Sequence, residues 1–233
     1  MFASCRSPGV AAMFDTGLRY NEMAAGKGKF VGFAIACCCV LACKESRTIE
    51  TRYETGERHE VYEVLVTDTG EVRHGKYERF DPSGALLERS TYDLGRIHGL
   101  RQLFENGVLK SEETRVYDRY HGPYIAYYTD GTHELEADYS EDEMTGEVHV
   151  FYPSGKIKEK VTFEHNAEWG PFEEYYENGR TKAKGTYRQS EGPVEHGELK
   201  LFDSAGQLVR TLHCDMGRCT TIWKRDTASQ LPF

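Results

Sequence analysis

The chain has 233 residues and is acidic, with 38 Asp and Glu against 29 Lys and Arg. No basic cluster interrupts that balance, which argues against nucleic acid as a partner, because phosphate binding rests on grouped Lys and Arg. Fifteen tyrosines, a 12% aromatic share, 23 glycines and only 7 prolines favour pleated sheet over helix and exclude a Pro-rich linker.

From Phe30 to Ala42 the sequence FVGFAIACCCVLA is apolar and uncharged, preceded by Lys27 and Lys29 and followed by Lys44-Glu45-Ser46-Arg47. A spanning helix needs about 20 apolar residues, so this shorter run fits a signal-peptide core. Its ending, Val40-Leu41-Ala42-Cys43, resembles the lipobox of bacterial lipoprotein signal peptides. That resemblance implies removal of residues 1–42, acylation of Cys43 and a membrane partner through the lipid. Several acyl chains anchor firmly, since each buried methylene contributes about 0.8 kcal/mol. In such proteins an Asp after the cysteine retains the chain at the inner membrane; Lys44 stands there instead and tilts the expected location to the outer membrane or the periplasmic face. An ordinary signal peptide or an inner-membrane anchor would also use such a run. Residues 1–22 carry Asp15 and Glu22, which are unusual ahead of a signal core, whereas Met23 opens the better leader MAAGKGKFVGF. The true start is therefore expected at Met23, which would leave Cys5 outside the protein, and residues 43–57 read as a linker.

Beyond the linker the chain repeats itself. Glycines at 75, 99, 122, 146, 170 and 197 open six units at intervals of 24, 23, 24, 24 and 27 residues. A second glycine follows at 84, 107, 131, 155, 179 and 206, in contexts such as Glu105-Asn106-Gly107 and Thr129-Asp130-Gly131. Asn-Gly and Asp-Gly between alternating strands signal a hairpin, because glycine accepts a positive φ without a Cβ clash. A fixed period of this length marks a repeat architecture. The expected fold is all-β: an elongated sheet of about six stacked hairpins over residues 74–212.

Return strands alternate apolar and basic residues, as in Ile157-Lys158-Glu159-Lys160-Val161, the period of a sheet with one buried face. Five residues after each opening glycine stands an aromatic (Phe80, Phe104, Tyr127, Phe151, Tyr175, Phe202), the surest expected core position. Two residues after that glycine come Tyr77, Arg101, Tyr124, Val148, Phe172 and Leu199, of opposite parity. Either a bulge near the glycine resets the register or both faces are covered. Tyr117 is expected to fill the core where Arg115 cannot.

A lone hairpin is marginal, and sheet ends are vulnerable edges. Residues 58–73, turning at Asp68-Thr69-Gly70, are expected to cap the first edge, and residues 213–233 to form the cap and tail at the other. Cys214 replaces the aromatic of earlier units, and Cys219 follows a short turn. A cross-strand disulfide between them would staple the last hairpin, in keeping with export; two free thiols or half of a metal site are the alternatives, and a zinc site lacks the His spacing it needs.

His121-Gly122-Pro123-Tyr124 with Tyr127-Tyr128, and Trp169-Gly170-Pro171-Phe172 with Tyr175-Tyr176-Glu177-Asn178-Gly179, resemble the bacterial MORN-variant repeats of the YwqK-type family, often labelled antitoxins. The resemblance covers about residues 74–212, implies the repeat fold and brings no catalytic residues.

Function has to come from surfaces. His74, His98, His121 and His196 share the position before the opening glycine, but Thr145 and Trp169 also occupy it, so they read as turn residues and not as a metal array. Glu141, Asp142, Glu143 and Glu147 read as a solvated acidic loop, with calcium the less favoured alternative. No cofactor or metal is expected. Tyr128, Tyr152 and Tyr176, six residues after their opening glycines, would face away from a core aromatic neighbour and form an exposed ladder about 10 Å in step. Such a ladder could stack on glycan rings or anchor a protein; ordinary packing is the alternative. The expected role is a non-enzymatic, lipid-anchored scaffold at the cell envelope binding a protein or glycan. The other reading is an antitoxin or immunity-type protein that neutralises an effector.

Overall fold

The computed structural model describes residues 45–226. The leader, the expected start at Met23 and the lipid-bearing Cys43 lie outside the described residues, as does the end of the C-terminal tail. Seventeen strands form one antiparallel sheet, and no helix occurs among the described residues. They are β1 (Ser46–Arg52), β2 (Arg58–Thr67), β3 (Gly70–Phe80), β4 (Leu86–Asp93), β5 (Arg96–Ile97), β6 (Gly99–Glu105), β7 (Val108–Val116), β8 (Arg119–Tyr127) and β9 (His133–Ser140). The series continues with β10 (Glu143–Phe151), β11 (Ile157–Glu164), β12 (Ala167–Tyr175), β13 (Thr181–Gln189), β14 (Pro193–Glu195), β15 (Gly197–Phe202), β16 (Leu208–Asp215) and β17 (Arg218–Lys224). Pairing follows chain order, with the short β5 and β14 leading into β6 and β15. The sheet is thus a meander of hairpins.

Residues 43–57 do not form a linker throughout, because β1 takes Ser46–Arg52 from that span and pairs with β2 from Ser46↔Leu65 to Arg52↔Arg58. Alternating Thr48, Glu50 and Arg52 against Ile49 and Thr51 give it strand character that its polarity obscures. The capping hairpin at 58–73 exists, turning after Thr67, but β1 lies outside it and β3 runs on into the first repeat.

Each unit carries two bulges. One sits at the opening glycine, where β8 places Tyr120 and Tyr124 opposite Arg115 and Glu113 of β7. The other sits before the aromatic, as between Glu174 and Tyr175 of β12, opposite Ala183 and Thr181. Strands run through the opening glycine, so His74 and His121 lie within strands and not in turns. Gly122 adopts φ 101°, and a Cβ there would approach Thr114 of the preceding strand at 3.5 Å.

The paired bulges invert the expected faces. The buried row is the position two after the opening glycine: Tyr77, Val148 and Phe172 are 4%, 2% and 3% exposed. Across the sheet it reads Tyr62, Tyr77, Ser90, Arg101, Glu113, Tyr124, Ala137, Val148, Val161, Phe172, Gly185, Leu199 and Leu212. No second layer packs on it among the described residues, so its cover comes from the flanking rows of the same face, on strands that the bulges bend. The aromatics expected in the core are only half-buried and lie on the opposite face: Tyr127 bonds Glu112 at 2.8 Å and Tyr175 bonds Glu173, both residues of that face. Tyr117 does not fill the core; it is an exposed turn residue with φ 50°, while Arg115 points inward over the Tyr120 ring at 3.3 Å.

Candidate binding face

Both margins of the sheet are stitched from unit to unit. On one, Tyr128, Tyr152 and Tyr176 donate their hydroxyls to the carbonyls of Phe151, Tyr175 and Phe202 at 2.7, 2.8 and 2.9 Å. Tyr53 does the same to Phe80 at 2.8 Å. The three tyrosines are half-buried and each begins the turn of its own unit, accepting from Gly131, Gly155 or Gly179. They therefore form a ladder of inter-unit hydrogen bonds. In the outer units Asp81 and Asp203 hold that place and cap their own turns through Ala85 N and Gln207 N.

On the other margin, two-residue turns lack glycine in the middle units and put both residues at positive φ: Tyr117-Asp118, Glu141-Asp142 and His165-Asn166. Asp and Asn tolerate this conformation, which matches the strand twist. Their carboxylate or amide oxygens accept from Ile97 N, Tyr120 N and Met144 N at 2.8, 2.8 and 2.7 Å. Glu141 and Asp142 are thus a stitched turn and not a loose acidic loop, and no metal-holding group of His, Cys, Asp and Glu occurs among the described residues. Sequence reasoning missed this motif, although Asp118, Asp142 and Asn166 recur every 24 residues. The opening histidines His74 and His121 lie 3.2 and 3.5 Å from the turn acids Asp93 and Glu141.

Between these margins the face opposite the buried row carries charge and aromatics. One cross-strand row reads Arg89, Gln102, Glu112, Ile125, Glu136, His149, Lys160, Glu173, Lys184 and Lys200. Beside it runs the row of half-buried aromatics from Phe80 to Phe202. Burial, with the bond to Glu112, pushes the Tyr127 hydroxyl up to about 12; burial and Glu173 do the same for Tyr175. The bond from His149 holds the Glu147 carboxyl below its ordinary range. Three grooves open on this face, of about 230 Å³ at Pro123 and Glu136, 300 Å³ at Lys160 and Tyr175, and 490 Å³ at Lys184 and Lys200.

At the C-terminal edge Cys214 and Cys219 face each other across β16 and β17 and are joined by a disulfide, Cα–Cα 3.9 Å. Cys214 is fully buried in the row flanking the core, the place of Tyr139 and Phe163 in earlier units.

Residues 73–94, 144–165 and 170–189 match the family model described as MORN repeat variant. No curated protein matches the chain. The matched segments are three of the units described above; of the two between them, the Gly122 unit carries the Tyr128 stitch, whereas the Gly99 unit has Glu105 at that place and turns at Asn106-Gly107, both at positive φ. Three of the chain's units are thus similar to MORN-variant repeats.

Proposed function

We propose that this chain is a non-catalytic binding scaffold, exported and held at the cell envelope by a lipid on Cys43, which offers its polar face to a glycan or protein. One observation carries the binding reading: a regular row of half-buried aromatics runs beside alternating charge and three open grooves on the face that the core does not use. Flat apolar rings flanked by hydrogen-bonding groups suit extended ligands. Export draws support from the residues around Cys43 and from the Cys214–Cys219 disulfide, a bond characteristic of oxidising compartments. Tyr128, Tyr152 and Tyr176 are half-buried along one margin of the sheet, with their hydroxyls engaged by the next unit.

Mass spectrometry of the mature N-terminus with detergent partitioning tests the anchor: an acylated Cys43 and recovery in the detergent phase are expected, and an unmodified, water-partitioning chain refutes it. In-cell cross-linking tests the face. Tyr127→Ser with Phe151→Ser and Tyr175→Ser should abolish the cross-linked adducts while the sheet's circular dichroism is retained; adducts that persist unchanged would move the binding surface elsewhere.

A further inference from the structure

A groove of about 490 Å³ lies on the polar face across β12, β13 and β15. Its volume falls in the range of small-ligand sites, roughly 300–1,000 Å³. Lys184, Thr186 and Arg188 alternate along β13 and share this face. Lys184 stands directly opposite Lys200 of β15. Like charges in directly paired positions destabilise a sheet, and this pair sits in a chain of net charge −9 with abundant carboxylates. Lys200 is neutralised by Glu198 at 2.6 Å. Among the described residues, Lys184 and Arg188 have neither an ion pair nor a side-chain hydrogen bond, and both are exposed. Glu173, directly across from Lys184, directs its carboxylate to the Tyr175 hydroxyl.

From this geometry we infer that the groove binds a carboxylate-bearing sugar unit of an acidic glycan, an inference that rests on the scaffold reading above. Lys184 and Arg188 supply the charge for one carboxylate, with Arg able to bind it through two parallel N–H bonds. Thr186 and Glu173 offer a hydroxyl and a carboxylate to sugar hydroxyls, and Pro171 supplies an apolar ring at the groove's margin. Glu173 and Glu198 count against a multiply charged phosphate in the same place. The groove lies in mid-sheet, where backbone groups are already paired, so a peptide could not bind there by strand addition.

The test is calorimetric titration of the full chain in detergent, at low salt, with trigalacturonate, neutral galactotriose and inorganic phosphate. Trigalacturonate should bind at one site, with no heat from galactotriose and no competition from equimolar phosphate. Lys184→Gln with Arg188→Gln should weaken binding by about tenfold or more, a change of about 1.4 kcal/mol; Lys110→Gln on a distant strand should not. Without ligand, Lys184→Gln alone should melt no lower than the parent, because it removes a repulsion, and this guards against loss of fold as the cause. Absence of trigalacturonate binding, equal binding of galactotriose, or displacement by phosphate would overturn the inference. Trigalacturonate binding that survives the double replacement would overturn the groove assignment while leaving the scaffold reading intact.

Discussion

The buried row passes through the whole sheet in one register, yet its two halves are held by different physics. From β3 to β8 it is ionic. Glu113, 1% exposed, receives Arg101 at 2.9 Å and Arg115 at 2.8 Å, and Arg101 also reaches Glu88 at 2.7 Å. Arg73 extends this pattern, with its guanidinium over the rings of Tyr62, Tyr77 and Tyr92 and an ion pair to Glu60 at 3.0 Å. From β9 to β15 the same face is apolar: Ala137, Val148, Val161, Phe172 and Ala183 form one cluster, with Tyr139, Phe163, Tyr187 and Leu199 packed against it. The backbone, its bulges and its stitches are indifferent to the change. A repeat whose units touch only their neighbours can exchange one kind of core for another within a strand or two.

The contrast can be broken most severely at Glu113. Glu113→Ala leaves Arg101 and Arg115 buried without their shared partner and should cost about 3–5 kcal/mol in urea unfolding. Converting the ionic half to the apolar kind should do the reverse. Glu88→Val, Arg101→Leu, Glu113→Val and Arg115→Tyr together are expected to be neutral or to stabilise by about 1–4 kcal/mol, as replacement of whole buried ion networks does. On the apolar side the tight fit is Phe172 over Gly185, where an added Cβ would meet the ring at 3.0 Å. Gly185→Val should cost about 1–3 kcal/mol through overpacking, and it should raise hydrogen exchange in β12 to β15 while sparing β3 to β7.

These examples also show what the amino-acid sequence reveals. The period, the glycine turns and the all-β class were legible because turn chemistry is local. The face was not: parity arguments assume an unbroken pleat, and two bulges per unit make Phe172 and Tyr175 face opposite ways. Glu113, Arg101 and Arg115 look like solvated residues in one dimension and become a core only when three strands bring them into register. Asp118, Asp142 and Asn166 were hidden by the expectation that a positive-φ turn needs glycine. Tyr128, Tyr152 and Tyr176 were visible as a periodic set, but their hydroxyl partners lie in the next unit and could not be inferred from spacing.

Smaller effects sharpen the comparison further. Tyr152→Phe removes one stitch, to the Tyr175 carbonyl, and should cost about 0.5–1.5 kcal/mol, measurable as a shift in urea midpoint. The smallest expected effect is a difference in pH response between the halves. Burial raises the Glu113 pKa, but Arg115 and Arg101 outweigh it and hold the carboxyl below 4.5, so its stabilisation is present above that value and lost as pH falls through the depressed pKa. Glu159 in the apolar half is shifted the other way, by burial and then by Glu174 and Glu168, and burial likewise raises Glu168. Their protonation favours the folded state, so mild acidification from neutral towards 4.5 should protect β11 and β12 in hydrogen exchange, and further acidification should first open β6 and β7.

The two stitched margins have a consequence for how the chain acquires its structure. Each tyrosine hydroxyl reaches a carbonyl 23 to 27 residues away, and each Asp or Asn turn reaches 21 or 22 residues back. Mean sequence separation between contacting residues is therefore short for an all-β protein, and the entropy of loop closure is met in small, equal instalments. Every completed hairpin presents a finished edge on which the next can form, so the sheet can zip from its amino-terminal end during synthesis, and the Cys214–Cys219 bond closes across the last pair of strands to be laid down.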